Sequence, residues 1–352
     1  MTSLPLSPSR LQRGKRAFTT RYVRPEMMRQ LLTGPARPEP GDVVFARVDR
    51  VGKHARMEQP DGRRATLFVG DEIIVAYGHR YATDQFEAHV PDSLERCHLV
   101  ASGGVAAQVL SMHDTMSAPT DITPLGLVAD ADGRRLNLRE WAVPNAPTVI
   151  RPPTVAVVGT AMNAGKTDAA AHLVRGLIAA GHSVGAAKIT GTGSGNDPWL
   201  YTDAGANPVV DFTTAGYAST YLLRPDEVLE ILQTLITHLA AAGCDAIVLE
   251  IADGVFQAET DALLGSQGFA EHVHSLVFAA GDALGAVAGV MRLRDLGLPV
   301  RAATGCLTCA PLAVREAQAA LDVPVLTRSE LTDPKIATQV AIPRPAPLMR
   351  TA

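Results

Sequence analysis

From residue 154 to about 330, short β-rich apolar runs alternate with longer stretches of helical apolar spacing: "TVAVVG", "KTDAAAHLVRGLIAAG", "HSVGAAKIT", "DEVLEILQTLITHLAAAG", "CDAIVLEI", "HSLVFAA", "ALGAVAGVMRLRDLG", "LPVRAATG" and "APLAVREAQAALD". Such alternation predicts an α/β domain, a mostly parallel, doubly wound sheet with helices on both faces. Ligands of this architecture sit outside the carboxyl ends of the strands. Residues 41–142 keep a different rhythm, apolar alternation cut by turns: "DVVFARVDRVG", "HARMEQ", "RATLFVG", "DEIIVAYG". Asp61-Gly62 between two such runs is a hairpin signal. The pattern predicts a small mainly-β domain, for which a barrel is one form, completed by a helix near "GGVAAQVLSMHD" and a hairpin at "LVADADGRRLNL".

The remaining segments lack a pattern that would bury a face. Residues 1–40 are rich in Pro, Arg and Ser, and read as a basic flexible arm with one short amphipathic helix at "RPEMMRQLL". Prolines crowd residues 143–153, a linker that continues neither element type. Residues 331–352 read as a loose C-terminal tail.

Candidate chemistry concentrates where the first strand of the α/β region meets its first helix. Gly159, Gly165, Lys166 and Thr167 satisfy G-x-x-x-x-G-K-[ST] in the required strand-to-helix context. A loop of this kind turns backbone N–H groups and a helix N-terminus toward phosphate oxygens. The expected nucleotide-binding set is Gly159, Thr160, Asn163, Ala164, Gly165, Lys166 and Thr167, with Lys166 on the β- and γ-phosphates and Thr167 on Mg²⁺.

Lysine usage extends the site. The chain carries only five lysines among 32 basic residues, so a surface charge is nearly always an arginine, yet two of the five are Lys166 and Lys188. Lys188 closes the second strand of the region, which places it beside the phosphate loop and makes it a substrate candidate. The following "ITGTGSG" lets the backbone approach a ligand, with Thr190, Thr192 and Ser194 as donors. Phosphoryl transfer needs a metal, and Mg²⁺ needs oxygen ligands beyond Thr167. Glu250, an acid at the end of the apolar run "CDAIVLEI", is the expected one, Asp253 a possible second, and either Asp203 or Asp211 a further contact. Lys166, Lys188 and Glu250 are thus the expected catalytic residues.

The pieces "VVGTAMNAGKT", "AAKITGTG", "VVDFTTAG" and "IVLEIADGVF" resemble the SIMIBI-type branch of P-loop NTPases. That branch holds dethiobiotin synthetase, the molybdopterin-guanine dinucleotide biosynthesis adapter, and a family typified by a D-glutamate N-acyltransferase. The resemblance implies phosphate and metal at Lys166 and Thr167, substrate at Lys188 and Thr192, and metal at Glu250. Met162 and Asn163 depart from the Thr-Glu pair in the dethiobiotin synthetase loop. The implied function is a Mg²⁺-dependent enzyme that uses ATP, or GTP, to phosphorylate or activate a small acidic metabolite. A nucleotide-dependent accessory protein for cofactor or metal maturation and an acyl-coenzyme A-dependent N-acyltransferase are the alternatives. Many relatives pair across the nucleotide site, so a homodimer is expected.

Composition narrows the partners. Apolar residues make up 47% and charged residues 19%, with a net charge of −4, which disfavours a general nucleic-acid binder. No apolar run reaches the roughly 18 residues of a membrane span. The N-terminal residues lack the apolar core of a secretory signal, so a cytoplasmic location is expected. Cys97, Cys244, Cys306 and Cys309 are too scattered for a disulfide framework. Cys306 and Cys309 read first as small apolar residues filling a turn. Half of a zinc site, completed by Cys97, His98 or His274, and a redox pair are the alternatives. The polar segment from His79 to Glu87 reads as a loop with no catalytic residue assigned.

Overall fold

The computed structural model describes residues 2–144 and 151–342, and the fold divides into two compact units. The first comprises Met1–Pro144, Thr190–Trp199 and Val210–Leu235; the second comprises Asn145–Ile189, Leu200–Val209 and Ile236–Ala352. The expected linker falls mostly on residues 145–150, which lie outside the described residues, as does the end of the expected tail from residue 343.

In the first unit the strand pairing closes on itself. Thr120–Ala129 runs antiparallel to Val43–Arg50, which runs antiparallel to Glu72–Tyr77; that strand runs parallel to Val105–Met112, which pairs with Cys97–Ala101, and Cys97–Ala101 returns to Thr120–Ala129. Closure removes the free edges that a small sheet would otherwise expose. Both faces of these strands are apolar, because successive side chains point to opposite sides. One core cluster takes alternate residues of all five strands, among them Val44, Ala46, Ile73, Val75, Leu99, Ala106 and Ile122. The other takes their neighbours Val43, Phe45, Ile74, Ala76 and Val105, together with Leu6, Val23, Met28 and Leu31.

Those last four residues explain why the N-terminal 40 residues are not a flexible arm. They cover the second apolar face of the sheet; Gln30–Thr33 pairs with the Leu127–Ala129 end of Thr120–Ala129, beyond the part that closes the sheet, and Thr2–Pro5 pairs with Gln30–Thr33. The expected amphipathic helix is a single 3-10 turn, Pro25–Met27, followed by the strand Gln30–Thr33. A second correction concerns "GGVAAQVLSMHD", expected as a helix: Val105–Met112 is a strand paired with Cys97–Ala101, Glu72–Tyr77 and Phe86–His89. The local alanine preference for helix yields to the pairing partners on both sides. Both hairpins form, Arg56–Glu58 with Arg64–Thr66 around Gly62, and the turn from Asp130 to Arg134 around Gly133. The turn glycines carry φ of 86° and 79°, a region that costs a residue with a Cβ.

The unit also holds a histidine in a costly place. His54 is 8% exposed with its ring 5.9 Å from that of Phe86. Burial, helped by the charge of Arg80, pushes its pKa down to about 3. The folded state therefore keeps this imidazole neutral while the unfolded chain protonates near pH 6.5. Stability from this group is complete above pH 6.5 and is lost as the pH falls toward 3, on the order of 2 kcal/mol by pH 5. Urea unfolding of His54→Gln at pH 7.5 and pH 5 is expected to show a correspondingly smaller loss on acidification than wild type, and equal losses would contradict this account.

The second unit is the α/β layer structure expected from the alternation. Five strands of a six-stranded sheet lie in it, in the order Val184–Lys188, Ala246–Glu250, Thr154–Gly159, Ser275–Ala279, Val300–Thr304, all parallel. The sixth, Val209–Asp211, is where the chain passes from one unit to the other. The helix Lys166–Ala179 packs on one face through Ala170, Leu173, Val174 and Leu177. The helix Ala283–Asp295 covers the opposite face, where Gly289 lies against the ring of Phe278 with no room for a Cβ. The tail is not loose throughout: Pro334–Ala341 is a helix whose Ala337, Val340 and Ala341 join the first face. Gly176 permits that approach, since a Cβ there would meet that of Ala337 at 2.7 Å.

Candidate nucleotide site

The chain order of the sheet reverses around Thr154–Gly159, and a crevice forms outside the carboxyl ends at such a point. The loop that leaves this strand is shaped by its backbone. Gly165 stands at the N-cap of Lys166–Ala179 with φ 93°, and Asn163 adopts φ 61°. No side chain caps this helix, because the N-cap is a glycine. A helix begun in this way directs its first N–H groups and the positive end of its dipole into the loop, as anion binding requires. The loop is held from outside: the Thr160 N–H donates to the Ala279 carbonyl at 3.0 Å, the Val255 N–H to that of Gly159 at 3.1 Å, and the Cys306 N–H to that of Ala164 at 3.0 Å.

Lys166 is 5% exposed and folds back across the loop, its Nζ donating to the Ala161 carbonyl at 2.7 Å. Glu250 is 2% exposed and gathers the rest. Its Oε1 accepts from Thr167 Oγ1 at 3.2 Å and from Lys188 Nζ at 3.3 Å, and its Oε2 accepts from the Tyr201 hydroxyl. Strand register places these groups, since Glu250 stands level with Lys188 on one neighbouring strand and with Val157 on the other. A carboxylate this deep is stable only when paired and hydrogen-bonded, and here it has both.

Thr167 and Lys188 thus share Glu250 within the second unit, and Lys166 stands next to Thr167 at the head of the same helix. Asp203 is not among them. It is exposed at the end of the helix Asn196–Asp203, while Tyr201, two residues earlier, is buried and reaches Glu250. Residues two apart on a helix face different ways, so only one of them points inward. Asp211 is also committed elsewhere. It lies in the first unit, where its Oδ1 accepts from the N–H groups of Thr213 at 2.9 Å and Thr214 at 3.3 Å and from Arg21 at 3.2 Å. It closes a turn. Among the described residues no group of three or more His, Cys, Asp or Glu is placed to hold a metal ion.

Thr190 and Thr192 likewise belong to the first unit: the chain leaves the second one after Ile189. Thr190 is buried, and Thr192 forms an isolated bridge with Ser219. The glycine-rich turn is tied down there, because the buried Glu58 accepts from the Gly195 N–H at 2.5 Å and from Ser194 Oγ at 3.3 Å. The polar segment around His79 partly lines a cleft of about 350 Å³ in the same unit, with Tyr81, Gln85 and Glu87 facing Tyr221.

Two contributions escaped the sequence pattern. Tyr201 was signalled by nothing stronger than one tyrosine in a short helix. Cys306 and Cys309 are both exposed and fill no apolar turn; the Cys306 thiol donates to the Asn163 carbonyl at 3.1 Å. The groups proposed to complete a zinc site are engaged otherwise: Cys97 is buried in the first unit, and His274 Nδ1 accepts from the Thr154 N–H at 3.0 Å.

Several solved structures show distant likeness. The signal recognition particle receptor FtsY from Elizabethkingia anophelis in complex with GDP is 12% identical, with 58% of this chain and 68% of that one covered and a TM-score of 0.37. The 54 kDa signal recognition particle protein from Aeropyrum pernix K1 in complex with GDP is 17% identical over 54% and 45%, at 0.38. The kinase domain of the Escherichia coli tyrosine kinase ETK is 14% identical over 43% and 66%, at 0.32. Likeness of this degree carries no weight for activity. No family model matches the chain, and no curated protein matches it. No helix among the described residues is long and apolar enough to cross a membrane.

Proposed function

We propose that the second unit binds a nucleoside triphosphate with Mg²⁺ and uses it to activate a small acidic metabolite, in the manner of dethiobiotin synthetase. One observation carries the reading: Glu250 joins Thr167, at the start of the phosphate-loop helix, to Lys188, at the end of the adjoining strand. The fit to Mg²⁺ is chemical. Thr167 Oγ1 and the Glu250 carboxylate are hard oxygen donors side by side, and this ion is commonly held by one or two protein oxygens, phosphates and water. When bound, it would neutralise charge on the β- and γ-phosphates.

The chain's own groups supply the rest. The loop amides and Lys166 hold the polyphosphate. Lys188 holds the carboxylate or carbamate oxygen that attacks the γ-phosphorus, forming one P–O bond as the bond to the β-bridging oxygen breaks and the nucleoside diphosphate leaves. Position and charge stabilisation do most of the work in such a transfer. ATP is preferred to GTP on the resemblance to dethiobiotin synthetase. The expected cytoplasmic location and homodimer are part of this proposal. The exposed cysteine pair beside the loop favours a second reading, a nucleotide-dependent accessory protein, which differs in binding nucleotide tightly while turning it over feebly.

A thermal-shift screen of ATP, GTP and coenzyme A, each with Mg²⁺ and a panel of small carboxylic acids, tests the proposal. A ligand of the folded state raises the melting temperature by mass action. ATP is expected to do so and a carboxylic acid to add to it; a response to coenzyme A alone would reject the nucleotide reading.

A further inference from the structure

Free cysteine is among the most buried residue types, and two of the four here obey that rule. Cys97 is fully buried, with burial pushing its thiol up to about 12, and Cys244 is 4% exposed with its thiol also raised by burial. Cys306 and Cys309 do the opposite, and they share one 3-10 turn, Cys306–Cys309. In a 3-10 helix residues three apart eclipse, and three steps of about 2.0 Å put their Cα atoms roughly 6 Å apart. A disulfide spans Cα separations of about 4.4–6.8 Å, so this turn already has the dimension a disulfide needs.

The same turn is pressed onto the phosphate loop. A Cβ on Gly165 would lie 3.1 Å from both the Cys306 nitrogen and the Gly305 Cα, and one on Gly305 would lie 2.4 Å from the Ala164 carbonyl oxygen. Bonds from the Cys306 N–H to Ala164 and from the Cys306 thiol to Asn163 cross this seam. The buried Leu307, whose N–H donates to the Ala280 carbonyl at 3.0 Å, pins the turn from behind. Movement of Cys306 Sγ therefore cannot be absorbed by withdrawing the turn.

We propose that Cys306 and Cys309 form a reversible dithiol–disulfide site whose oxidation state is passed to the phosphate loop. The oxidant is a low-molecular-weight disulfide. A thiolate of the pair attacks it to give a mixed disulfide and one free thiol, and the second cysteine displaces the other. The protein loses two hydrogens and gains one S–S bond, and the two electrons leave in two reduced small thiols. In the oxidised form Sγ of Cys306 is bonded to Cys309 and no longer donates to Asn163, the residue held at φ 61° in the loop. The consequence for nucleotide affinity rests on the proposed function of that loop.

The test uses the full chain equilibrated in reduced and oxidised glutathione. Intact mass after acid trapping, hydrogen exchange of a peptide covering Gly159–Thr167, and titration with Mg-ATP are read in both states, with Cys306→Ser and Cys309→Ser as controls. Oxidised wild type is expected to be two hydrogens lighter, with a 306–309 linkage that neither variant forms. Loop exchange is expected to speed up and ATP to bind roughly 3- to 10-fold more weakly, the range for losing one hydrogen bond. Absence of the linkage in oxidised glutathione overturns the proposal, as does a linkage that leaves loop exchange unchanged. If ATP binds in neither state the proposed function fails, and loop exchange still decides this inference.

Discussion

Lys166→Ala is expected to weaken Mg-ATP binding about 100-fold or more, the scale of losing charge-assisted hydrogen bonds in a water-poor site, while leaving the fold intact. The ammonium group is nearly buried and donates to a neutral carbonyl, that of Ala161 at 2.7 Å. A positive charge held in that position gains much more from a phosphate than from a peptide oxygen. The bond to the Ala161 carbonyl contributes about 1 kcal/mol to unfolding free energy, the worth of an ordinary hydrogen bond, far less than the expected effect on binding. Lys166→Arg should not rescue binding: a planar guanidinium is larger than an ammonium and does not fit a loop this closely packed. Isothermal titration with Mg-ATP reads the affinity, and urea unfolding reads the stability. Equal affinity in wild type and Lys166→Ala would remove the loop from any nucleotide site.

How far the site was legible depended on how local its causes are. The phosphate loop could be read because glycine positions and the strand-to-helix switch lie within a dozen residues. Lys188 and Glu250 could be read because both end apolar strands, and parallel register then sets them side by side. Asp203 could not be resolved, since which face of a short helix turns inward is decided by packing, and Tyr201 won that place. Asp211 and Thr192 stood out for their chemistry, but the partners they take in the fold, Arg21 and Ser219, come from elsewhere in the chain and no spacing reveals them. The N-terminal segment misled for a related reason. Its Pro, Arg and Ser content conceals the few residues, Leu6, Val23, Met28 and Leu31, that matter because a closed sheet leaves an outer apolar face to cover.

Glu250→Ala should have the largest effect on stability, a loss of about 3–5 kcal/mol, because one half of a buried ion pair is removed while the other stays. Lys188 has a side chain only 15% exposed and Glu250 one only 2% exposed, so solvent does little to screen their interaction. The same change takes acceptors from Thr167 and Tyr201. Glu250→Gln keeps an oxygen for these hydroxyls and should cost less, but without the negative charge it should lose the Mg²⁺ dependence of nucleotide binding as fully as Glu250→Ala does. The ion pair itself is isolated by a double-mutant cycle. Lys188→Met replaces the ammonium by an apolar chain of similar length, and Glu250→Ala with Lys188→Met should be more stable than the sum of the single losses by on the order of 1–3 kcal/mol. Urea unfolding of the four proteins measures this. Strict additivity would mean that the two charges do not feel one another, and Lys188 would then have to be placed outside the site that Thr167 and Glu250 define.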